Sequence, residues 1–353
     1  MKDSSNRRAF SVAQTRPFFA LTILAAAVLA PAVLVSCEQT QADPTTQAPA
    51  PEVVAPKEVE LVFVGDVMLA RNVARRVRAS GENFADLFAD VSGPLQAADI
   101  AFCNVECCMS ERGKTGKRKH AFRAPPQAVE GLTAAGFDVV SLSNNHSLDF
   151  GEEAATDTVA VLKDAGIRAV GLRAADSAQE PVIIERNGVT LGFLAYCTPR
   201  WNSTYGSNMP IGPAVGDKET LKRDITALRH RVDVLVVSMH WGMENATEPN
   251  DIQRDLAQYM VDLGVDIIAG HHPHVLQDPE VIDRTLVLYS MGNFVFDQHW
   301  DTHRQSRLYR VRVNQGGFIG AEYMPLEIAL AEWRPKPTAD DFTALGGPVA
   351  ALN

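Results

Sequence analysis

From Glu58 onward, short runs of apolar and β-branched residues alternate with segments in which apolar residues recur every three or four positions. The apolar runs predict buried strands, and the periodic segments predict amphipathic helices. The predicted strands are "VELVFVGD", "ADIAFCNVE", "FDVVSLSNNH", "PVIIERNGVTLGFLAYC", "VDVLVVSMHWG", "VDIIAGHHPH" and "TLVLYSMGNFVF". The predicted helices are "MLARNVARRVRAS", "PPQAVEGLTAAG", "GEEAATDTVAVLKDAG", "KETLKRDITALRHR" and "DIQRDLAQYMVDLG". This alternation predicts an α/β fold with buried strands.

Two further patterns complete the folded region. Asn187-Gly188 divides one apolar run and predicts a tight β-hairpin. The stretch "RLYRVRVNQGGFIGAEYMPLEIAL" predicts a closing antiparallel ribbon. Residues 331–353 show no periodic pattern, so we expect a loosely held C-terminal tail after a folded domain at residues 58–330.

The chain begins with a different pattern. A polar, basic start is followed by an apolar run from Phe18 to Val35 and then by small residues. That order predicts a secretory signal over residues 1–36, although the run is also long enough for an uncleaved membrane anchor. Leu34-Val35-Ser36-Cys37 resembles the bacterial lipobox, which predicts lipidation at Cys37. Arg7-Arg8 resembles the twin-arginine export signal.

Residues 37–57 are rich in proline and lack bulky apolar side chains, so they predict an extended tether rather than a core. Signal and tether together predict an extracytoplasmic lipoprotein held to a membrane by its lipid anchor. Which membrane holds it stays open.

The net charge is −10, and because the export segment is basic, the remainder is more acidic still. Such a chain repels polyanions at long range, which argues against a nucleic-acid partner and requires a local basic patch for any acidic polymer. The loop "SERGKTGKRKHAFR" offers Lys117, Arg118 and Lys119 for that purpose, although a solvated loop is an equal alternative. Asn293 is a further candidate substrate contact. For the remaining cysteines, disulfide pairing and buried thiols both stay open; they are Cys103, Cys107, Cys108 and Cys197.

Polar side chains with metal-binding chemistry cluster directly after the predicted strands. They are Asp66, Glu106, Asn144-Asn145-His146, His240, and His271, His272 and His274. Ligands of α/β sheets bind at the carboxyl ends of the strands, so these side chains are expected to converge. Carboxylate oxygens and imidazole nitrogens suit Zn, Mn or Fe, so we expect one or two divalent ions per chain.

The motifs "VFVGDVMLAR", "NVE", "SLSNNHSLDFG", "SMHWGMEN", "GHHPHVLQ" and "LYSMGNFVF" resemble, in this order, those of the capsule-synthesis protein CapA (PgsA) family. That family is linked to poly-gamma-glutamate production and resembles the calcineurin-like metallophosphoesterases. The resemblance implies a four-layer α/β/β/α sandwich with the site at one edge. It also implies the metal ligands Asp66, Glu106, Asn145, His240, His272 and His274.

The resemblance further implies that His146 acts as a general acid or orienting base and that His271 lies behind the ligands. Two departures from phosphoesterases are visible. Met68 stands where they carry a histidine, and Glu106 stands where they carry a bridging aspartate. Both changes make ordinary phosphoesters less expected as substrates.

Three functions remain open on the sequence. The first is metal-assisted hydrolysis or transfer on poly-gamma-glutamate or a similar acidic envelope polymer, with Asp66 and His146 in the chemistry. The second is a non-catalytic factor that binds and tethers polymer, within a membrane synthesis complex or alone. The third is a general metallophosphoesterase.

Overall fold

The computed structural model describes residues 57–115, 120–174, 177–198 and 210–345, all within the contact unit Val54–Asn353. The helices are α1 (Arg71–Ser80), α2 (Ser92–Ala97), α3 (Val129–Ala135), α4 (Gly151–Asp164), α5 (Lys218–Arg229), α6 (Asp251–Asp262) and α7 (Asp301–Arg304). Short 3-10 helices occupy Phe84–Phe88 and Pro126–Ala128. The strands of the first half are β1 (Val59–Val67), β2 (Ile100–Val105), β3 (Cys108–Met109), β4 (Arg123–Ala124), β5 (Val139–Ser141), β6 (Arg168–Val170), β7 (Leu172–Ala174), β8 (Val182–Arg186), β9 (Val189–Cys197) and β10 (Ile211–Pro213). Those of the second half are β11 (Val234–His240), β12 (Ile267–His271), β13 (Leu276–Gln277), β14 (Glu280–Ile282), β15 (Thr285–Leu288), β16 (Ser290–Met291), β17 (Asn293–Val295), β18 (Gln305–Asn314), β19 (Gly317–Ile328), β20 (Pro335–Pro337) and β21 (Thr343–Ala344).

Two large sheets organise the domain. The first has nine strands, with the central order β20-β19-β18-β1-β2-β5-β6; β17 joins β1, and β21 joins β19. The second has six strands in the order β14-β15-β12-β11-β9-β8. Strands β1, β2, β5 and β6 run parallel, as do β9, β11, β12 and β15. Each sheet therefore presents several carboxyl ends at one edge.

Three hydrophobic clusters separate four layers. One lies between the sheets and brings Phe63 and Phe102 of the first against Phe193 and Ile267 of the second. A second cluster covers the outer face of the first sheet with helices α1, α3 and α4. A third covers the outer face of the second sheet with α5 and α6. This arrangement confirms the predicted α/β/β/α sandwich. Its physical reason is that side chains alternate along a buried strand, so each sheet needs a core on both faces.

Local signals account for several element boundaries. Asn187 and Gly188 have φ angles of 51° and 77°, the left-handed pair that a two-residue hairpin between β8 and β9 needs. Helix α6 starts at a capping box, in which Asn250 accepts from the Gln253 backbone and Gln253 reaches back to the Asn250 backbone. Asp217 caps α5 in a similar way by accepting from the Thr220 backbone.

One prediction about the second half was wrong. The run "TLVLYSMGNFVF" is not one strand but three, β15, β16 and β17, which belong to three different sheets. The chain turns at Gly292, where φ is 67°. The segment after residue 330 also contains structure, because β20 and β21 both pair with β19. These strands are three and two residues long, which is too short for an apolar period from which pairing can be read.

None of the helices in the described part of the chain is both long enough and apolar enough to cross a membrane.

Candidate metal centre and adjoining cavity

The first sheet supplies two carboxylates that lie side by side. Asp66 sits near the end of β1 and Glu106 follows β2, and both are fully buried. Parallel pairing sets Asp66 opposite Asn104. Through its Nδ2, Asn104 donates to Asp66 Oδ1 at 2.9 Å and to Glu106 Oε2 at 3.4 Å. Buried carboxylates need such donors, so Asn104 holds both at the sheet edge.

The second sheet supplies the imidazoles. His240 ends β11 and pairs in register with His271 at the end of β12. His272 and His274 follow on a turn around Pro273, with φ angles of 97° and 60°. Left-handed backbone is uncommon outside glycine and clusters at functional sites. The ring centroids of His240 and His272 are 4.7 Å apart, and those of His272 and His274 are 5.9 Å apart.

The two groups meet at Asp66. His274 Nδ1 lies 3.3 Å from Asp66 Oδ2, and its Nε2 lies 3.7 Å from Glu106 Oε1. Ligand atoms of these three residues all fall within 4.8 Å of one another. His271 Nδ1 is 3.1 Å from Asp66 Oδ1, at an angle that does not satisfy a hydrogen bond. A single ion at this point would touch both sheets.

Burial shapes the pKa values of the centre. Burial opposes ionisation of Asp66, but the contacts with His271 and His274 hold its pKa well below its ordinary value. Burial, and then the Asp66 charge, raise the pKa of Glu106 well above its ordinary value. Burial, and then the neighbouring His272, lower the pKa of His240 well below its ordinary value. Neutral imidazole is the form that binds metals, so His240 is kept in the ligating state.

Unpartnered buried atoms test whether a metal suits these residues. Among the described residues, Glu106 Oε1, His240 Nδ1 and His271 Nε2 are buried without a hydrogen-bond partner. Such atoms are rare in native interiors unless an ion or water satisfies them. The oxygen and nitrogen donors, with no thiolate among the three converging ligands, fit Mn, Fe or Zn. The residues present therefore fit a divalent metal.

A histidine–aspartate pair lies beside the centre. His146 Nδ1 is 2.6 Å from Asp149 Oδ2, and its Nε2 is 3.8 Å from Glu106 Oε1. The ring of Phe122 stacks on His146 at a centroid distance of 3.8 Å, and the Phe122 backbone donates to Asp149 at 2.7 Å. The carboxylate thus orients the imidazole and leaves its second nitrogen facing the centre.

A cavity of about 520 Å³ opens onto these groups. Asn145, His146, Asp149 and His274 line it, together with the exposed Trp300. Asn145 Oδ1 is 3.0 Å from His240 Nε2, which joins the wall to the imidazoles. A volume of this size suits a small ligand or one end of a longer chain.

Most of the predicted ligands converge. Asp66, Glu106 and His274 share one cluster, and Asn145, His240 and His272 lie around it. Their roles as ligands stay predictions. Asn293, predicted to face substrate, is fully buried instead. Its Oδ1 is 3.0 Å from His274 Nδ1, and its Nδ2 donates to the carbonyl oxygens of His274 and His303 and to Gln298 Oε1.

Asn293 therefore positions His274 rather than meeting a substrate, because its amide is fully engaged. Lys117, Arg118, Lys119 and Cys37 lie outside the described residues. Met68, at the position of the missing histidine, is buried, and its sulfur accepts from the Ala70 backbone at 3.2 Å. All the cysteines of the described region are buried thiols: Cys103, Cys107, Cys108 and Cys197.

Sequence reasoning missed Asn104, Asp149, Phe122 and Arg71. Asn104 and Asp149 stood inside quoted motifs, two residues before Glu106 and three after His146. For Asn104 the available signal was its spacing of two residues from Glu106, since alternate residues of an extended chain share a face. No local signal marked Phe122 or Arg71.

Comparison with solved structures gives the class of fold. The calcineurin-like phosphoesterase YfkN from Bacillus subtilis superposes with a TM-score of 0.50 at 13% identity, over 84% of this chain and 96% of that chain. Together with four layers and a site at the strand ends, this places the chain in the calcineurin-like metallophosphoesterase fold class.

Comparison with protein families goes one step further. The model of the bacterial capsule synthesis protein PGA_cap matches residues 60–298, and the chain belongs to this family. The PGA biosynthesis protein CapA of Bacillus subtilis (strain 168) is 31% identical over 283 residues, which are 79% of this chain and 73% of that protein. The capsule biosynthesis protein CapA of Bacillus anthracis is 31% identical over 290 residues, 80% of this chain and 70% of that protein.

Proposed function

We propose that this protein acts on poly-gamma-glutamate or a related acidic envelope polymer during capsule synthesis or processing, by metal-assisted hydrolysis or transfer. The family and the names of the relatives support the polymer. The observation that carries the chemistry is the cavity whose wall contains both His146 and His274, beside the Asp66–Glu106–His274 cluster.

In this function Asp66, Glu106 and His274 hold the metal, and His240, His272 and Asn145 complete its surroundings. A divalent ion, when bound, supplies Lewis-acid polarisation of a carbonyl or phosphoryl oxygen. His146 transfers a proton at Nε2, because Asp149 engages Nδ1. Phe122 excludes water from one face of His146 by stacking on it.

The proposed location is extracytoplasmic, with a lipid anchor at Cys37. The support is the order of basic, apolar and small residues ahead of a lipobox-like cysteine, followed by a proline-rich tether. In a cell-fractionation experiment, Cys37→Ala is expected to release the protein from membranes, and retention of the variant would contradict the anchor.

Metal content is the first test. Full-length protein purified in detergent is expected to contain one or two Mn, Fe or Zn per chain by elemental analysis. His274→Ala should lose that metal, because it removes a ligand that contacts both carboxylates. The matched control is His230→Ala, an exposed histidine at the end of α5, which should keep it. A wild-type protein that binds none of these metals would overturn the proposal.

Turnover is the second test. Wild-type protein is assayed on a γ-glutamyl polymer and on an aryl phosphate. Asp149→Asn is expected to lower the polymer rate by about 10²- to 10⁴-fold while metal content is unchanged, because it removes the negative charge that fixes the tautomer of His146 and stabilises its protonated form. Turnover of the aryl phosphate alone would favour a general phosphoesterase. Polymer binding without turnover would favour a tethering factor.

A further inference from the structure

One charged group in the cavity plays no part in the metal centre. Arg71, the first residue of α1, lines the cavity and has a φ angle of 50°. A positive φ is uncommon for a long side chain, and such conformations concentrate at functional positions. Arg71 ends the motif "VFVGDVMLAR", which also contains Asp66.

Asp297 and Phe122 both contact the guanidinium of Arg71. Its Nε lies 3.3 Å from Asp297 Oδ2, and the Asp297 side chain is fully buried. The Asn72 backbone donates to the same oxygen at 3.1 Å. The Arg71 guanidinium carbon is 5.2 Å from the centre of the Phe122 ring, within the range of a cation–π contact. Asp297 and the Phe122 ring therefore restrain the Arg71 side chain. This restraint reduces the side-chain entropy that Arg71 loses when it binds a ligand.

The other edge of Arg71 is uncommitted. In the residues that the structure describes, neither Nη1 nor Nη2 has a hydrogen-bond acceptor, and the side chain is 39% exposed. A guanidinium presents parallel N–H groups that match an oxyanion. Because Phe122 also stacks on His146 at 3.8 Å, the open edge belongs to the same cavity as the proton-transferring imidazole.

The charges around Arg71 indicate which kind of oxyanion it binds. Within the described lining, Arg71 is the one Arg or Lys, whereas Asp149, Glu244 and Asp297 contribute three carboxylates. A carboxylate carries one negative charge and is matched by one guanidinium. A phosphate dianion would bring more negative charge against the same acidic wall. Because Asp297 already offsets part of the Arg71 charge, the open edge of Arg71 favours a singly charged carboxylate over a phosphate dianion.

We propose that Arg71 binds a backbone α-carboxylate of a γ-glutamyl chain and thereby selects carboxylate-bearing substrates. This inference rests on the proposed function, since it names the polymer group that the cavity recognises. Arg71 is a specificity-determining residue, distinct from the ligands and from His146.

The test is a binding comparison by isothermal titration calorimetry on full-length protein. The probes are a γ-glutamyl oligomer with free α-carboxylates, the same oligomer with neutral α-carboxamides, and an aryl phosphate. The variants are Arg71→Gln and Arg71→Lys. The control is Arg123→Gln, an arginine that also lies over a phenylalanine ring, that of Phe150, at 4.3 Å but does not appear in the cavity wall.

Arg71→Gln is expected to weaken binding of the free-acid oligomer by about 10- to 100-fold, the size expected for a charged hydrogen-bonded pair. Binding of the neutral oligomer should change by less than about 2-fold, since the acceptor charge is already missing. Arg71→Lys should fall between, because an ammonium keeps the charge but loses the fork. Arg123→Gln should match wild type, and metal content should be unchanged in all variants.

Two results would overturn the inference alone: equal weakening of both oligomers by Arg71→Gln, or weakening confined to the aryl phosphate. Wild-type protein that binds neither oligomer would instead overturn the proposed function, and the inference with it. The wild-type measurement thus separates the two failures from each other.

Discussion

The two halves of the metal centre are built differently. The carboxylate side, Asp66 and Glu106 of the first sheet, is tied together by Asn104. The imidazole side comprises His240, His271, His272 and His274 of the second sheet. It retains buried ring nitrogens of His240 and His271 without a hydrogen-bond partner in the described residues. Among the described residues the carboxylate side keeps one buried oxygen without a partner, Glu106 Oε1, whereas the imidazole side keeps such nitrogens on two rings.

The difference follows from the cost of burying each group. A buried carboxylate that stays ionised must be hydrogen-bonded, so the first sheet supplies Asn104 and the second supplies the His272 backbone, which donates to Asp66 at 3.3 Å. A buried imidazole can remain neutral, and burial lowers the pKa of His240 in that direction. The imidazole side can therefore keep open positions at a smaller cost.

The largest effect is expected at the glycine that precedes the site residues in each sheet, because each of these glycines touches backbone of the segment that follows β15. A Cβ at Gly65 would lie 2.0 Å from the Gly292 carbonyl oxygen, and one at Gly270 would lie 2.0 Å from the Tyr289 carbonyl oxygen. Gly65→Ala and Gly270→Ala should each lower the free energy of unfolding by about 3 kcal/mol or more, because backbone must move. Urea unfolding measures this change.

Gly93→Ala in α2 is the control, since a Cβ there meets no atom within 4 Å. It should stabilise the protein by up to about 1 kcal/mol. If Gly270→Ala changed the free energy of unfolding by no more than Gly93→Ala does, the backbone at Gly270 would not be tightly constrained, in contrast with that at Gly65.

The next largest effect on stability is expected on the carboxylate side of the metal centre. Asn104→Leu should lower the free energy of unfolding by about 1–3 kcal/mol in metal-free protein, because it leaves buried oxygens of Asp66 and Glu106 without their donor. Denaturant unfolding in the presence of a chelator checks this. An unchanged midpoint would show that the carboxylate side does not depend on Asn104.

The smallest effect on the metal-free protein is expected on the imidazole side. His240→Leu should change its free energy of unfolding by about 1 kcal/mol or less: Nδ1 has no hydrogen-bond partner among the described residues, and Nε2 gives up one contact, with Oδ1 of the half-buried Asn145. The same variant should lose most of the metal-induced stabilisation, about 2.7 kcal/mol for wild type at a metal concentration 100 times Kd. Thermal unfolding with and without Mn measures both. Full metal stabilisation in the variant would remove His240 from the centre.

Much of the fold and most of the site could be predicted because they depend on local periodicity. Buried parallel strands read as apolar runs, and their carboxyl ends share an edge, so Asp66, Glu106 and His240 could be placed together in advance. Residues 285–296 could not be divided correctly, because a continuous apolar run does not show that Gly292 turns the chain between sheets.

Side-chain partners were the least predictable part. Asn293 was expected to face substrate, but it holds His274, which lies 19 residues away in the chain. Arg71 contacts Asp297, which lies more than 200 residues later in the sequence, and a local sequence pattern cannot predict such a contact.

The sequence alone determined the class of the protein: an α/β chain with carboxylates, amides and imidazoles at successive strand ends, preceded by an export-like segment. These features are periodic or contiguous, so the order of the residues expresses them directly. The tertiary structure decided which atoms are left open. Only the packing of two sheets against each other buries His240 Nδ1 and Glu106 Oε1 without partners and turns the free edge of Arg71 into the cavity. Whether a polar atom is satisfied depends on neighbours distant in sequence, and folding alone brings these together.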